Sequence, residues 1–120
     1  MEATATALRS PLGRITISTG AIAQIVGHTV DECYGVVGLA SRSWPRRARL
    51  LPRNRSLQGI SVSGDGGGIA IDLHVVVEYG LNLAEIAATV RSRITYEVER
   101  LTGLAVASVD VHIQDVRRSA

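Results

Sequence analysis

The sequence has one cysteine, no lysine and no phenylalanine. A lone thiol, Cys33, cannot form an internal disulfide, which excludes a disulfide-stabilised secreted scaffold. No apolar run approaches the about 20 residues that a membrane-spanning helix needs. The first 13 residues contain Glu2, Arg9 and Pro11 and lack the apolar segment of a signal peptide. We therefore expect a cytoplasmic protein.

Branched aliphatic residues dominate the apolar part of the composition. The 120 residues are 46% hydrophobic but only 3% aromatic. This length allows one domain with a core of Val, Ile and Leu, residues that suit strands as well as helices. We expect a flexible arm at residues 1–12, a single domain at 13–116 and a short tail at 117–120.

Two stretches with apolar residues at helical spacing predict amphipathic helices. The first helix begins at Ser18 or Thr19, either of which can cap it, and ends at Gly35. The second helix is capped by Asn82 and ends at Gly103. Their apolar stripes comprise Ile22, Ile25, Val26, Val30 and Cys33 in the first helix, and Leu83, Ile86, Ala87, Val90, Ile94, Val98 and Leu101 in the second.

Alternating apolar and polar residues predict the strands. Residues 57–63 and 69–79 flank a Gly/Asp turn and predict a β-hairpin. Residues 14–18, 36–39 and 106–116 predict three further strands. The crossover through the second helix should be right-handed, which makes the last strand parallel to its predecessor. The sequence therefore predicts a two-layer α+β fold with both helices on one face of a small mixed sheet.

The other sheet face is predicted to be polar, and we expect it to be wet or used for self-association. Spacing of two residues puts a carboxylate and an imidazole on one face in each of the last two strands. If these strands are neighbours, the four groups would cluster as zinc ligands; alternatively, they pair across strands or across a subunit contact. We favour pairing and predict no metal and no cofactor. The polar face comprises Asp72, His74, Glu78, Asp110, His112 and Gln114.

The charges are segregated along the chain, although the net charge is only +2. Residues 1–39 sum to −1, residues 40–60 to +6 and residues 61–116 to −5. A basic segment of this kind attracts polyanions, membrane surfaces or an acidic face of another copy.

The basic segment, residues 41–56, is predicted to be a long loop bracketed by Pro45 and Pro52. Trp prefers the headgroup level of a bilayer, and each basic residue near an anionic surface adds about 1 kcal/mol. The loop could dock on a membrane or an acidic protein, or it could be a solvated loop with Trp44 folded back. The candidate partner- or membrane-binding residues are Arg42, Trp44, Arg46, Arg47, Arg49, Arg53 and Arg55.

Several short motifs, in the right order, resemble the bacterial alkaline-shock-protein family, also called the general-stress envelope protein family. The resemblance covers residues 13–116. Its motifs are GRITIS at 13–18, ECYGVVGL at 32–39, VVEYG at 76–80, TGL at 102–104 and VDVHI at 109–113.

The resemblance implies a small, non-enzymatic cytosolic protein. Some members gather beneath the membrane through a membrane-protein partner, self-associate and are linked to envelope or alkaline stress. The family brings no catalytic residues. This sequence departs from the common pattern at residues 41–56, where an Arg-rich, Trp-containing loop occupies a variable region.

Other candidate sites have simpler interpretations. The glycines at 64–68 lead into a strand, and without lysine they cannot form a Walker loop, so we predict a turn. His28 and Glu32 share a helix face as a surface pair. Cys33 lies on an apolar stripe beside Asp31 and Glu32, which would raise its pKa, so we predict inert packing.

Three functions follow from these features. We favour an interaction protein whose basic loop meets the acidic region of another copy, with the assembly against the membrane, an anionic surface or a small anchoring protein. The alternative is a nucleic-acid-binding module that uses the Arg-rich loop, which the acidic remainder and the lack of stacking aromatics disfavour. An enzyme ranks last, because no set of acid, base and nucleophile emerges.

Overall fold

The computed structural model describes residues 5–10, 13–40, 59–65 and 68–118, and it describes their side chains from residue 16 onward except at Asp65. The predicted basic loop and its candidate residues lie outside the described residues. The elements are β1 (Ala5–Ser10), β2 (Gly13–Ser18), α1 (Thr19–Asp31), β3 (Val36–Leu39), β4 (Ile60–Asp65), β5 (Gly68–Glu78), α2 (Leu83–Thr102) and β6 (Val106–Arg117).

Strand β5 is the centre of the main sheet. It pairs with β6 in parallel along one side, and with β4 and β3 in antiparallel fashion along the other. Strand β4 pairs with residues 68–73 of β5 and β3 with residues 75–77, so β3 and β4 lie end to end. The predicted α+β fold, its hairpin and its parallel crossover are confirmed.

The predicted helix caps are present. The Oγ of Ser18 accepts a hydrogen bond from the Ala21 N–H at 3.1 Å and so begins α1. The Asn82 Oδ1 does the same for the Glu85 N–H at 3.0 Å. Gly103 ends α2 with a left-handed φ of 75°, a conformation that favours glycine.

The end of α1 was predicted about one turn too late. The helix ends at Asp31, and the N–H groups of Glu32 and Cys33 donate to carbonyls three residues back, which tightens the last turn. Gly35 instead lies in the turn to β3 with φ of 89°. A Cβ at Gly35 would lie 2.9 Å from the Ile86 Cδ1, so a larger residue there would both strain the backbone and displace the Ile86 side chain.

The amino-terminal segment also differs from the prediction. Residues 5–10 form β1, which pairs antiparallel with β2 in a separate two-stranded sheet, whereas the sequence predicts an arm without regular structure. Strand pairing rests on backbone hydrogen bonds, so an Ala/Thr-rich stretch without apolar alternation can still form a strand.

Both helices cover one face of the main sheet, as predicted. Odd-numbered residues of β5 point toward them and, with the helix stripes, form one apolar core. Leu83 and Leu101, assigned to the stripe of α2, are exposed instead. The largest fully buried side chains among the described residues are Ile22, Val26, Val30, Ile69, Ile71, Leu73, Val75, Val76, Val77, Val90, Ile94 and Val98.

The outer face, which carries the even-numbered residues of β5, is only partly open. Val76 and Ala40 are fully buried and form a second, small apolar cluster there. Asp110 and His112 of β6 are exposed. The prediction of a wet outer face is therefore correct at the polar positions of β6 and wrong at Val76.

Candidate functional site

The parallel register of β5 and β6 brings two histidines together on the outer face. Asp72 lies opposite Asp110, and His74 opposite His112. The imidazole rings of His74 and His112 stack with their centroids 4.6 Å apart and their planes 14° apart. The Asp-x-His spacing in each strand thus places the carboxylate and the imidazole on the same face, as the side-chain period of two predicts.

The carboxylate of Asp72 joins both imidazoles. The His112 Nε2 lies 2.7 Å from Asp72 Oδ1, and the His74 Nε2 lies 3.3 Å from Asp72 Oδ2. A carboxylate only accepts hydrogen bonds, so the hydrogen bond with Asp72 is donated by a protonated Nε2 of His112. The three residues form what we call the His–Asp cluster.

Gln114 contacts the cluster from a β-bulge. The pairing of β6 with β5 shifts register between Ile113 and Asp115, which leaves Gln114 as the extra residue. Its side-chain amide forms a hydrogen bond with the Nδ1 of His74. Bulges re-aim side chains in this way, and the alternation of the sequence, which places Gln114 outward, does not reveal the contact.

Burial is graded across the cluster. The His74 side chain is 12% exposed, that of Asp72 35% and that of His112 49%. His74 therefore sits at the base of the cluster, and His112 lies at its open side.

The remaining predicted residues of the polar face do not join the cluster. Asp110 is exposed and is not among the three groups whose ligand atoms approach one another, so the predicted group of four becomes a group of three. Glu78 lies at the far end of β5, where its register partner is Arg117.

The helix layer holds the third histidine in a different setting. His28 Nε2 lies 3.4 Å from Glu32 Oε2 across one turn of α1, which confirms the predicted surface pair. Arg93 of α2 also reaches Glu32, at 3.4 Å. An open groove of about 580 Å³ between the two helices, which the sequence did not indicate, is lined partly by His28, Glu32 and Leu101.

Cys33 is buried, and its Sγ donates to the carbonyl of Thr29 at 3.4 Å. Burial raises the pKa of the Cys33 thiol; Arg93 acts in the opposite direction and Glu32 adds to the rise. The predicted direction is confirmed, although burial is the main cause and the acidic neighbour is secondary. A thiol in this setting is a poor nucleophile.

Residues 7–118 match the model of a protein family described as the ASP23 family, with a cell envelope-related function. The chain belongs to the ASP23 family. The match covers nearly the whole chain, and the resemblance to alkaline-shock and general-stress proteins is confirmed.

Relatives in two bacteria resemble this member of the family. Uncharacterized protein YloU of Bacillus subtilis is 36% identical over 112 residues, which cover 92% of this chain and 93% of YloU. Uncharacterized protein Spy1614 of Streptococcus pyogenes is 31% identical over 107 residues, covering 88% of each. A stress response regulator gls24 homolog of S. pyogenes is 27% identical over 88% of this chain and 59% of its own length.

No solved structure matches the chain significantly. Within the part of the chain that the structure describes, no helix combines the length and apolar character that crossing a membrane requires.

Proposed function

We propose that this chain is a non-enzymatic, stress-related protein of the cell envelope that self-associates and docks at the cytoplasmic face of the membrane. Copies join through the basic segment of one and the acidic outer sheet face of the next. The assembly then lies against an anionic surface or a small membrane-anchoring protein.

Two comparisons support the coarse part of this proposal. The family carries a cell envelope-related description, and a relative of 27% identity carries the name of a stress response regulator. Neither the family description nor the names of the relatives mention nucleic acid, so the alternative of a nucleic-acid-binding module gains no support.

The observation that supports self-association is the acidic charge on the outer face of the sheet. Both helices lie on the inner face of the sheet, so the exposed carboxylate of Asp110 and the partly exposed one of Asp72 lie on the other face. The six arginines of residues 40–60 supply the complementary charge. Exposed pairs of this kind give modest energy each, and several together set orientation and partner choice.

The described residues also fix where the basic segment leaves the domain. The N–H of Ala40 donates to the carbonyl of His74 at 2.9 Å, and a Cβ at Gly59 would lie 2.6 Å from the Ala40 carbonyl oxygen. The chain therefore leaves and re-enters the domain at one point on the edge of the sheet. A contact between this segment and a different patch on the next copy is heterologous, and such contacts produce rings or filaments.

Sedimentation velocity tests self-association. We expect the average mass to rise with protein concentration at low salt and to fall as salt is added, because salt screens exposed charges. A monomer at all concentrations in low salt would contradict the proposal.

Complementary variants test the head-to-tail contact. One variant replaces the basic residues of the segment with serine; the other carries Glu78→Gln and Asp110→Asn. Neither should assemble alone, but an equimolar mixture should form 1:1 pairs, because each retains the half that the other lacks. Absence of 1:1 pairs in the mixture would contradict the head-to-tail contact. A basic segment that binds the sheet face of its own chain would give this result.

A matched control removes the same charge from the helix layer. Glu85→Gln with Glu97→Gln also deletes two carboxylates, and it should leave assembly unchanged. Loss of assembly in this control would show that net charge, rather than the outer face, is responsible.

Membrane docking is tested by co-sedimentation with vesicles. We expect more protein to pellet with vesicles rich in phosphatidylglycerol than with neutral phosphatidylcholine, and the serine variant of the basic segment should lose the difference. Equal pelleting with both would contradict docking on an anionic surface and would leave the anchoring protein as the partner to seek.

A further inference from the structure

We propose that the His–Asp cluster is a binding site for a single divalent transition metal of the zinc type. The ligands would be the Nε2 atoms of His74 and His112 and the carboxylate of Asp72. The inference is independent of the proposed self-association, because it concerns groups within one chain. The sequence alone favours pairing over metal, and the structure changes that balance through the convergence of the three groups.

The spacing of the ligand atoms is the first argument. One ligand atom from each residue lies within 4.8 Å of the others. Zinc bonds of about 2.0–2.2 Å in tetrahedral geometry place neighbouring ligand atoms about 3.3–3.5 Å apart. The 3.3 Å between His74 Nε2 and Asp72 Oδ2 already has this value. The half-exposed His112 ring can supply the remaining adjustment by a tilt.

The ligand chemistry selects the class of metal. Two imidazole nitrogens and one carboxylate oxygen suit zinc, cobalt, nickel and copper, whereas calcium and magnesium prefer oxygen ligands. Three protein ligands leave a fourth position for water, and the exposed side of His112 lets the ion reach the cluster.

Gln114 supplies the support that a histidine ligand needs. A metal-bound His74 Nε2 requires a protonated Nδ1, and Gln114 contacts that Nδ1. Without metal, the amide N–H of Gln114 can donate to an unprotonated Nδ1 of His74. Rotation of the amide by half a turn offers its oxygen to the Nδ1–H instead, so one residue can serve both tautomers.

The backbone holds the ligands in place before a metal arrives. Asp72 and His74 lie on the central strand β5, and His112 lies on the neighbouring strand β6, in continuous parallel pairing. Sites on paired strands lose little freedom on binding. A bound ion would also cross-link the two strands, so it should raise the melting temperature of the domain.

The test uses the full chain, freed of any affinity tag and treated with EDTA, then titrated with Zn²⁺ by calorimetry and with Co²⁺ by visible absorption. We expect one ion per chain, the visible bands of low-symmetry Co²⁺ and a higher melting temperature with Zn²⁺. Mg²⁺ and Ca²⁺ should produce no shift. One ion per two chains would contradict a site within a single chain.

Single substitutions decide which groups bind. His112→Ala removes a half-exposed ligand without threatening the fold, and we expect at least a tenfold loss of Zn²⁺ affinity; Asp72→Asn should act similarly. Gln114→Ala should weaken binding less, because it removes only the support of His74. His28→Ala is the matched control, since it deletes the imidazole of the His28–Glu32 pair on α1.

The outcomes are distinct. Binding that survives His112→Ala and disappears with His28→Ala would overturn the assignment, as would no heat and no absorption at 100-fold molar excess of metal. Because the assembly variants Glu78→Gln and Asp110→Asn leave the three ligands intact, failure of metal binding and failure of self-association can be told apart.

Discussion

The two faces of strand β5 lie on opposite sides of one backbone and have opposite roles. Odd-numbered residues such as Leu73 and Val75 are fully buried beneath the helices, whereas the even-numbered Asp72 and His74 belong to the His–Asp cluster on the other face. A side-chain period of two produces this division directly. The inner face holds most of the apolar contacts of the core, so the outer face can carry polar groups with little loss of stability.

Substitutions at adjacent residues should separate the two faces most strongly. Leu73→Ala removes a fully buried side chain and should lower the free energy of unfolding by about 2–5 kcal/mol. Asp72→Ala, one residue away, removes a partly exposed carboxylate and should cost at most about 1 kcal/mol. Urea unfolding of both variants in EDTA measures the difference. Similar losses would mean that the outer face is as important for stability as the core.

Alanine substitutions at Gly35 and Gly80 should differ less from each other in their effect on the free energy of unfolding. Gly35 and Gly80 both have positive φ, 89° and 100°, so an alanine strains the backbone at each. At Gly35 the new methyl would also lie 2.9 Å from Ile86 Cδ1, whereas at Gly80 nothing lies within 4 Å. Gly35→Ala should therefore cost about 1 kcal/mol or more beyond Gly80→Ala. Equal losses would show that Ile86 moves aside freely.

The N-cap of α2 should make a smaller contribution to the free energy of unfolding. Asn82→Ala removes the acceptor for the Glu85 N–H and should cost about 1 kcal/mol. Asn82→Asp is the matched control, because it keeps an acceptor oxygen and places negative charge at the helix amino terminus. Thermal unfolding should rank wild type and Asn82→Asp close together, with Asn82→Ala below both.

Short sequence patterns predicted the features of the fold that depend on residues close together in the chain. The caps at Ser18 and Asn82 and the hairpin follow from side-chain chemistry and period within short windows, and the parallel last strand follows from the crossover rule. The turn at Gly35 did not, because it packs closely against Ile86, some 50 positions along the chain. A window around α1 contains no trace of that contact.

The candidate site shows the same limit. The two Asp-x-His pairs indicated which groups face outward, but only the register of β5 with β6 decides which of them meet. The register shift beside Gln114 aims its amide at His74. Nothing in the alternating sequence indicates where that shift occurs. Strand order and bulges depend on the whole sheet, and so does the selection of three groups from the predicted four.

The smallest effect concerns the buried thiol of Cys33. Burial raises the pKa of its thiol above the ordinary value of 9.0, so the unfolded chain loses this proton at lower pH than the folded chain does. The associated stability is complete below about pH 9 and declines as the pH rises above it. The difference in free energy of unfolding between wild type and Cys33→Ala, measured by urea titration from pH 7 to above pH 10, should therefore narrow at the alkaline end. A constant difference would mean that the folded thiol ionises as readily as a free one, and that the inner layer admits water where the structure shows an apolar core.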